Sequence, residues 1–285
     1  MMTERQRRFR EAYIAQISPW YSGLLHVAVL YGAGIAGIWW CAQHLLGATW
    51  EWLLVVPVAI AGNFIEWGMH LFVLHRLRDV FAIRAIYDRH TRQHHQYFTD
   101  NDPTIHSIRE FRIVFFPWRV LIAVLLFGGG VSYLMGFLLG PNAGYVTFIT
   151  MVGQYLVYET FHFLSHVPDN AFVRNMPFVN TIRRHHAAHH NMGIMMHVNM
   201  NLTFPVADWA MNTSDLNRGL LGHLFNGYSE RYIKEELKPV IARFREARTQ
   251  DERVTLDGPK LDAEEVQVMQ RAVRQASAAI SAKQE

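Results

Sequence analysis

Apolar and polar residues follow one another along this chain in long blocks. Four blocks, at residues 23–46, 52–74, 120–139 and 145–165, stay apolar over about 20 residues, the length of α-helix that crosses the hydrocarbon core of a bilayer. Each predicts a spanning helix. The first is too long for a signal-peptide core and has no small-residue cleavage site, so it reads as an uncleaved anchor. Short breaks at 47–51 and 140–144 join the blocks in pairs, which predicts two transmembrane hairpins. Between them, Phe81, Ile83, Ile86 and Tyr87 recur among charges over 79–95, the pattern of an amphipathic interfacial helix, stopped by Asn101-Asp102-Pro103. A methionine-rich stretch, 175–213, closes on Phe204-Pro205, Asp208 and Trp209. Beyond it the chain is charged, and Val266, Met269, Val273 and Ala276 predict a last helix over 262–283, packed on the domain.

Charge orients these elements. Arg5, Arg7, Arg8 and Arg10 precede the first block, Arg76, Arg78, Arg84, Arg89, Arg92, Arg109 and Arg112 separate the hairpins, and Arg174, Arg183 and Arg184 follow the fourth block. The two short turns hold neither lysine nor arginine. The positive-inside rule then puts both termini and the middle loop in the cytoplasm. The expected fold is all-α and integral to the membrane: four transmembrane helices in two hairpins under a cytoplasmic helical cap. Residues 1–22 form a cytoplasmic N-terminal segment, 23–213 the membrane-embedded domain and 214–285 a cytoplasmic helical tail.

Composition agrees, since 51% hydrophobic and 18% charged residues are too apolar a balance for an average soluble domain. Tryptophans 39, 40, 50, 52 and 118 fit an interfacial aromatic belt. The formal charge of +3 has no recognition motif behind it, so no nucleic-acid partner is expected. The single cysteine, Cys41, excludes an internal disulfide, a cysteine-ligated iron–sulfur cluster and a cysteine-based zinc site.

Histidine carries the candidate chemistry. Most of the 16 histidines fall in four clusters: His70 and His75; His90, His94 and His95; His162 and His166; His185, His186, His189 and His190. Helical residues three or four apart share a face, so such spacing aims several imidazoles at one point. One ion seldom takes more than about six donors, so ten or so clustered histidines predict two metal ions. The topology brings all four clusters to the cytoplasmic face. Glu66 and Glu159 stand one turn before His70 and His162, where a carboxylate can accept a hydrogen bond from a ligating imidazole. His197 follows the last cluster closely, while His26, His44, His106 and His223 stand apart and read as structural or interfacial.

Nitrogen ligands suit zinc, copper, nickel and iron alike. No HExxH motif supports a zinc peptidase, and ligands gathered at the ends of the spans do not suit a transporter. What remains is a pair of irons beside the acyl region of a membrane, with a lipid as substrate and O2 as co-substrate. The alternative is a non-catalytic cage, loaded with zinc.

The ordered set HxxxxH from His70, HxxxHH from His90, HxxxH from His162 and HxxHH from His186 resembles the fatty acid hydroxylase/sterol desaturase superfamily of membrane di-iron oxygenases. The resemblance spans residues 63–213 and extends to Asn199-x-Asn201-x-Thr203-Phe204-Pro205, Asp208-Trp209 and Thr213. It implies two irons held by His70, His75, His90, His94, His95, His162, His166, His186, His189 and His190, with Glu66, Glu159, His185, His197 and Asp208 behind them. It also implies O2 activation by two delivered electrons and removal of hydrogen from an unactivated C–H bond, giving an alcohol or, after loss of a second hydrogen, an alkene. The chain has no room for a fused cytochrome b5 domain, so a separate ferredoxin or cytochrome b5-type donor is expected on the basic cytoplasmic face. Two features depart from the family pattern. The second box is HxxxHH where many members have HxxHH, and the fourth is doubled by His185.

Overall fold

The computed structural model describes residues 2–250; the helix expected at 262–283 lies outside the described residues. Helix α1, Glu4–Ala15, starts where the Thr3 hydroxyl accepts from the Gln6 N–H, and α2, Gly23–Gln43, where Ser22 caps Leu25. A 3-10 turn at Trp50–Leu54 leads into α3, Val55–Met69, which continues as a π-helical turn, His70–Leu74. Helix α4, Phe81–Tyr87, runs into a second π turn, Asp88–His94. Then come α5, Trp118–Leu139, and α6, Pro141–His166, joined at Gly140, whose φ of 101° suits glycine. Helix α7, Val179–His189, is followed by the short α8, Val206–Ala210, and α9, Leu220–Leu224, and by α10, Lys238–Gln250. The described residues form no β-strand beyond isolated bridges.

Three helical segments are long and apolar enough to cross a membrane: Gly23–Gln43, Trp50–Leu74 and Trp118–Leu139. The fourth expected span forms α6, which is equally long but less apolar, and it sits at the centre of the bundle against α2, α3, α5 and α7. Glu159, His162 and His166 lie buried along it. Its polarity faces protein, which is why apolarity alone does not mark it. The amphipathic helix expected at 79–95 is α-helical only over Phe81–Tyr87, because His90, Thr91 and His94 turn inward on the π turn.

Helix α1 clamps the irregular chain that follows the second histidine cluster. Arg10, 4% exposed, donates to the carbonyls of Tyr97 (2.8 Å), Asp102 (2.7 Å) and Thr104 (2.9 Å), and Gln6 donates to those of Tyr97 and Asp102. The Tyr97 and Thr104 carbonyls have no ladder to join, so the side chains satisfy groups that would otherwise be unpaired, and at Asp102 they add to the bond from the Thr99 N–H. Tyr97, Phe98, Ile105, Phe115, Leu30 and Leu156 form the apolar core beneath.

Close backbone approach joins α5 to α6. A Cβ at Gly144 would lie 2.7 Å from the Ser132 carbonyl oxygen and 3.1 Å from Gly136 Cα, the small-residue contact by which apolar helices pack in lipid. Gly144→Val therefore lowers the thermal midpoint of the detergent-solubilised protein, at a cost of about 1–3 kcal/mol. An unchanged midpoint would contradict this close approach.

Candidate metal centre

The histidine clusters converge. Donor nitrogens of His70, His75, His90, His95 and His189 all lie within 4.8 Å of one another, as do those of His94, His166, His186 and His190. His162 joins the second group through Nε2 contacts of 3.1 Å to His94 and 3.3 Å to His166. All ten expected ligands are thus gathered, none more than 4% exposed. His90, placed by the unusual HxxxHH spacing, stands fully in the first group, with Nε2 3.0 Å from that of His70 and 3.1 Å from that of His95.

Two local devices produce this division. On an ideal α-helix, residues five apart point about 140° away from each other, so the three-or-four-residue rule does not account for His70/His75 or His90/His95. The π turns do: the His75 N–H bonds to the His70 carbonyl and the His95 N–H to that of His90, which brings each pair to one face. The rings of His70 and His75 stand parallel, 4.9 Å apart. The second device is the His-His pair. Adjacent residues point about 100° apart, so His94 and His95 serve different groups, as do His189 and His190. The two groups adjoin where His95 stacks on His190 at 4.4 Å.

Hydrogen bonds fix which nitrogen faces inward. Nδ1 donates to a backbone carbonyl in His94 (Ile113, 3.2 Å), His166 (Pro103, 2.6 Å), His189 (Val198, 2.9 Å) and His190 (Phe98, 2.8 Å). A carbonyl only accepts, so each of these nitrogens carries the ring proton. In His75, Nδ1 meets the hydroxyl oxygen of Thr91, whose own proton goes to the Leu74 carbonyl, so Nδ1 is again the donor. The Nε2 atoms of His75 and His189 therefore face each other at 3.0 Å with a lone pair on each and no proton between them. A cation answers that arrangement. For imidazole–metal bonds of about 2.0–2.1 Å, the length found with zinc, two ligands of one ion stand about 2.9–3.4 Å apart. The Nε2 contacts in both groups, 3.0–3.3 Å, fall in that range.

The residues expected behind the ligands divide. Neither glutamate accepts from an imidazole. Glu66 takes the N–H groups of Leu202 (2.5 Å) and Thr203 (3.0 Å) and the Thr203 hydroxyl (2.6 Å), while Glu159 takes the Tyr155 hydroxyl (2.7 Å) and the Phe116 N–H (3.3 Å). Loop N–H groups claim these carboxylates, and carbonyls serve the rings instead. Asp208 does meet a histidine, His185, at 3.0 Å, and also accepts from Met200, Asn201 and Thr213; neither Asp208 nor His185 belongs to a ligand group. Burial works to raise the Asp208 carboxyl, but these bonds outweigh it and hold it below its ordinary value. His197 lies outside both groups, near enough to act electrostatically on His75. Thr91 went unforeseen, as did the four carbonyls, because a backbone acceptor leaves no mark in a sequence.

Beside the first group an apolar cavity of about 250 Å³ opens between α3, α5 and α6. Ile65, Met69 and His70 line it from α3, Val124 and Phe127 from α5, Met151 and Tyr158 from α6, and Ile86 closes it from α4. Ile65 and Phe127 are about half exposed on the outer, apolar surface of the bundle, so the cavity opens there. No family model matches the chain, and no curated protein or solved structure matches it.

Burial, then the neighbouring imidazoles, hold His75, His90, His94, His95 and His186 well below the ordinary histidine range, and burial pushes His189 down to about 4. A histidine depressed in the fold binds its proton more readily when unfolded, so its contribution is full above pH 6.5, the ordinary value, and is lost as pH falls towards 4. The thermal midpoint and the bound metal should therefore fall together across that window. A midpoint flat from pH 6.5 to 4 would show that the cage is not built from buried neutral rings.

Proposed function

We propose that this protein is an O2-dependent membrane oxidoreductase of the fatty acid hydroxylase/sterol desaturase type, holding two irons in the ten-histidine cage and oxidising an unactivated C–H bond of a membrane lipid. The observation that carries the reading is the juxtaposition of cage and cavity: His70 belongs to the first ligand group and also lines the apolar cavity. A reaction site reached through an apolar opening on the bundle's lipid-type surface suits a fatty acyl chain, a sphingolipid or a sterol. The cavity is smaller than the about 300–1,000 Å³ of pockets that enclose a whole ligand, so it suits one segment of a lipid while the rest stays in the bilayer.

When bound, the iron pair supplies the reductive activation of O2 that an unactivated C–H bond requires. One oxygen atom enters the substrate as a hydroxyl and the other leaves as water, with two electrons and two protons supplied from outside. In a desaturation both oxygen atoms leave as water and a second hydrogen is lost. The chain's own residues do the positioning. Five fixed tautomers keep the ligand lone pairs inward, Met151, Val124 and Tyr158 set where a lipid carbon can stop, and the apolar lining keeps bulk water from the reacting carbon. The positive-inside pattern favours four spans in two hairpins with cage and termini cytoplasmic, where a ferredoxin or cytochrome b5-type donor can reach the basic face.

Iron-reconstituted protein in lipid is expected to hold about two irons per chain and to convert lipid only with O2 and an electron donor, giving a product heavier by one oxygen or lighter by two hydrogens in mass spectrometry. Reconstitution matters because zinc outcompetes Fe(II) at nitrogen sites. His94→Ala and His189→Ala abolish the product with membrane insertion intact, and Val124→Trp, which fills the cavity, abolishes it at unchanged iron content. A redox-silent cage that binds zinc, refuses iron and yields no product would leave a structural metal protein instead.

A further inference from the structure

A second cavity, of about 340 Å³ and largely polar, lies between α8, α9 and the chain on either side of Lys234. Short antiparallel pairing builds its floor: Leu216 stands opposite Ile233, the Asn217 N–H bonds to the Tyr232 carbonyl at 2.9 Å, and the Lys234 N–H to the Asp215 carbonyl at 2.9 Å. Lys234 and His223 both line the cavity.

Two buried groups in it lack a matching partner. The Lys234 ammonium, on a residue 8% exposed, donates to the side-chain and backbone oxygens of Asn212 (2.9 and 3.3 Å), both neutral, and forms no ion pair among the described residues. Buried charge of this kind calls for an anion. Asp208 is taken by its four donors, and Asp215 by Arg184. His223, 2% exposed, donates from Nδ1 to the Gly219 carbonyl (3.1 Å), so its Nε2 is a lone pair, and that atom has no hydrogen-bond partner. Arg218, held by Asn226 and by the Tyr232 ring at 4.1 Å, adds a second cation, and Glu236 a carboxylate. Asp208 also lines the cavity, so the two carboxylates of the lining balance its two cations overall. Locally, Lys234 and Arg218 offer donors without an ion pair among the described residues and His223 Nε2 accepts, so the lining favours an anionic group that also carries a hydroxyl donor.

Depth names the source. The Trp67 indole N–H bonds to Thr213 at 2.8 Å, which ties this chain segment to the apolar span Trp50–Leu74 about 10 Å before its end, so the cavity built by the residues that follow lies near the membrane boundary. Trp209, in the cavity wall, and Leu221, beside His223 on α9, are exposed apolar side chains. We propose that this cavity binds the headgroup of an anionic glycerophospholipid, its phosphodiester on Lys234 and Arg218 and a headgroup hydroxyl on His223 Nε2. The inference does not depend on the metal or on the oxygenase reading.

The test uses the full chain in neutral detergent, titrated with phosphatidylglycerol and followed by thermal midpoint and native mass spectrometry. Phosphatidylglycerol is expected to raise the midpoint and stay bound, phosphatidylcholine to do neither, and Lys234→Gln to weaken binding about tenfold at unchanged metal content. Arg218→Gln, at a partly buried position, reads the same site if the lysine variant fails to fold. Equal binding of both lipids, or undiminished phosphatidylglycerol binding in a folded variant, would overturn the site. Deacylated glycerophosphoglycerol binding as tightly as the lipid would overturn its assignment to the membrane.

Discussion

Two ring nitrogens that meet without a proton between them set the terms for the rest of this molecule. His75 and His189 can face each other at 3.0 Å because their other nitrogens are committed elsewhere, to Thr91 and to the Val198 carbonyl. That commitment needs acceptors, and carbonyls in the middle of a helix are already used by the helix. The acceptors accordingly come from outside the long helices: Phe98 and Pro103 beyond the second histidine cluster, Ile113 in a single short turn, Val198 after α7. Irregular chain buried at this depth exposes further carbonyls of its own. Arg10 and Gln6 exist at the interface of α1 to satisfy them, so the N-terminal helix is tied to the cage through two layers of hydrogen bonds.

The same constraint explains the spacing of the boxes. Two adjoining ligand groups need each helix to address two points several ångströms apart, which a single helical stripe does not do. Adjacent histidines at 94/95 and 189/190 split between the points, and the π turns at His70–Leu74 and Asp88–His94 restore a shared face to pairs five residues apart. One extra residue in a helical turn disrupts the regular bonding ladder, and it persists here where inward imidazoles over-determine the conformation. His162/His166 and His186/His190, four apart, need no such device and lie on regular helix or at its end.

Much of this was legible beforehand, and the exceptions have physical causes. The apolar blocks became helices and the ten histidines came together, because both depend on periodicities that side chains alone encode. Three blocks are marked as spans by length and apolarity; α6 is as long but less apolar, since a central helix is shielded by its neighbours and can carry Gln154, Glu159 and His162 inward. The π turns were hidden behind an α-helical rule that covers three- and four-residue spacing only. Proximity along the helix points Glu66 and Glu159 towards imidazoles, yet N–H groups of Leu202, Thr203 and Phe116, distant in sequence, reach them first. Such contacts depend on where loops return, and a loop's path has no period to read.

Neutral ligands pose an electrostatic problem for any cation the cage could hold: ten imidazoles bring no negative charge, and no carboxylate is among them. The helix directions supply part of the answer. Helix α6 ends at His166, and α7 ends at His189 with His190 as its cap. Both helices thus turn their negative dipole ends towards the cage, and the carbonyls of those last turns, even where Ile105, Asn191 and Arg183 donate to them, favour positive charge there. A carboxylate-lined site would achieve neutrality with fixed charge and bind protons as pH falls. A cage of buried rings instead stays uncharged above pH 6.5 and offers lone pairs to a cation, losing them to protons only as pH falls towards 4.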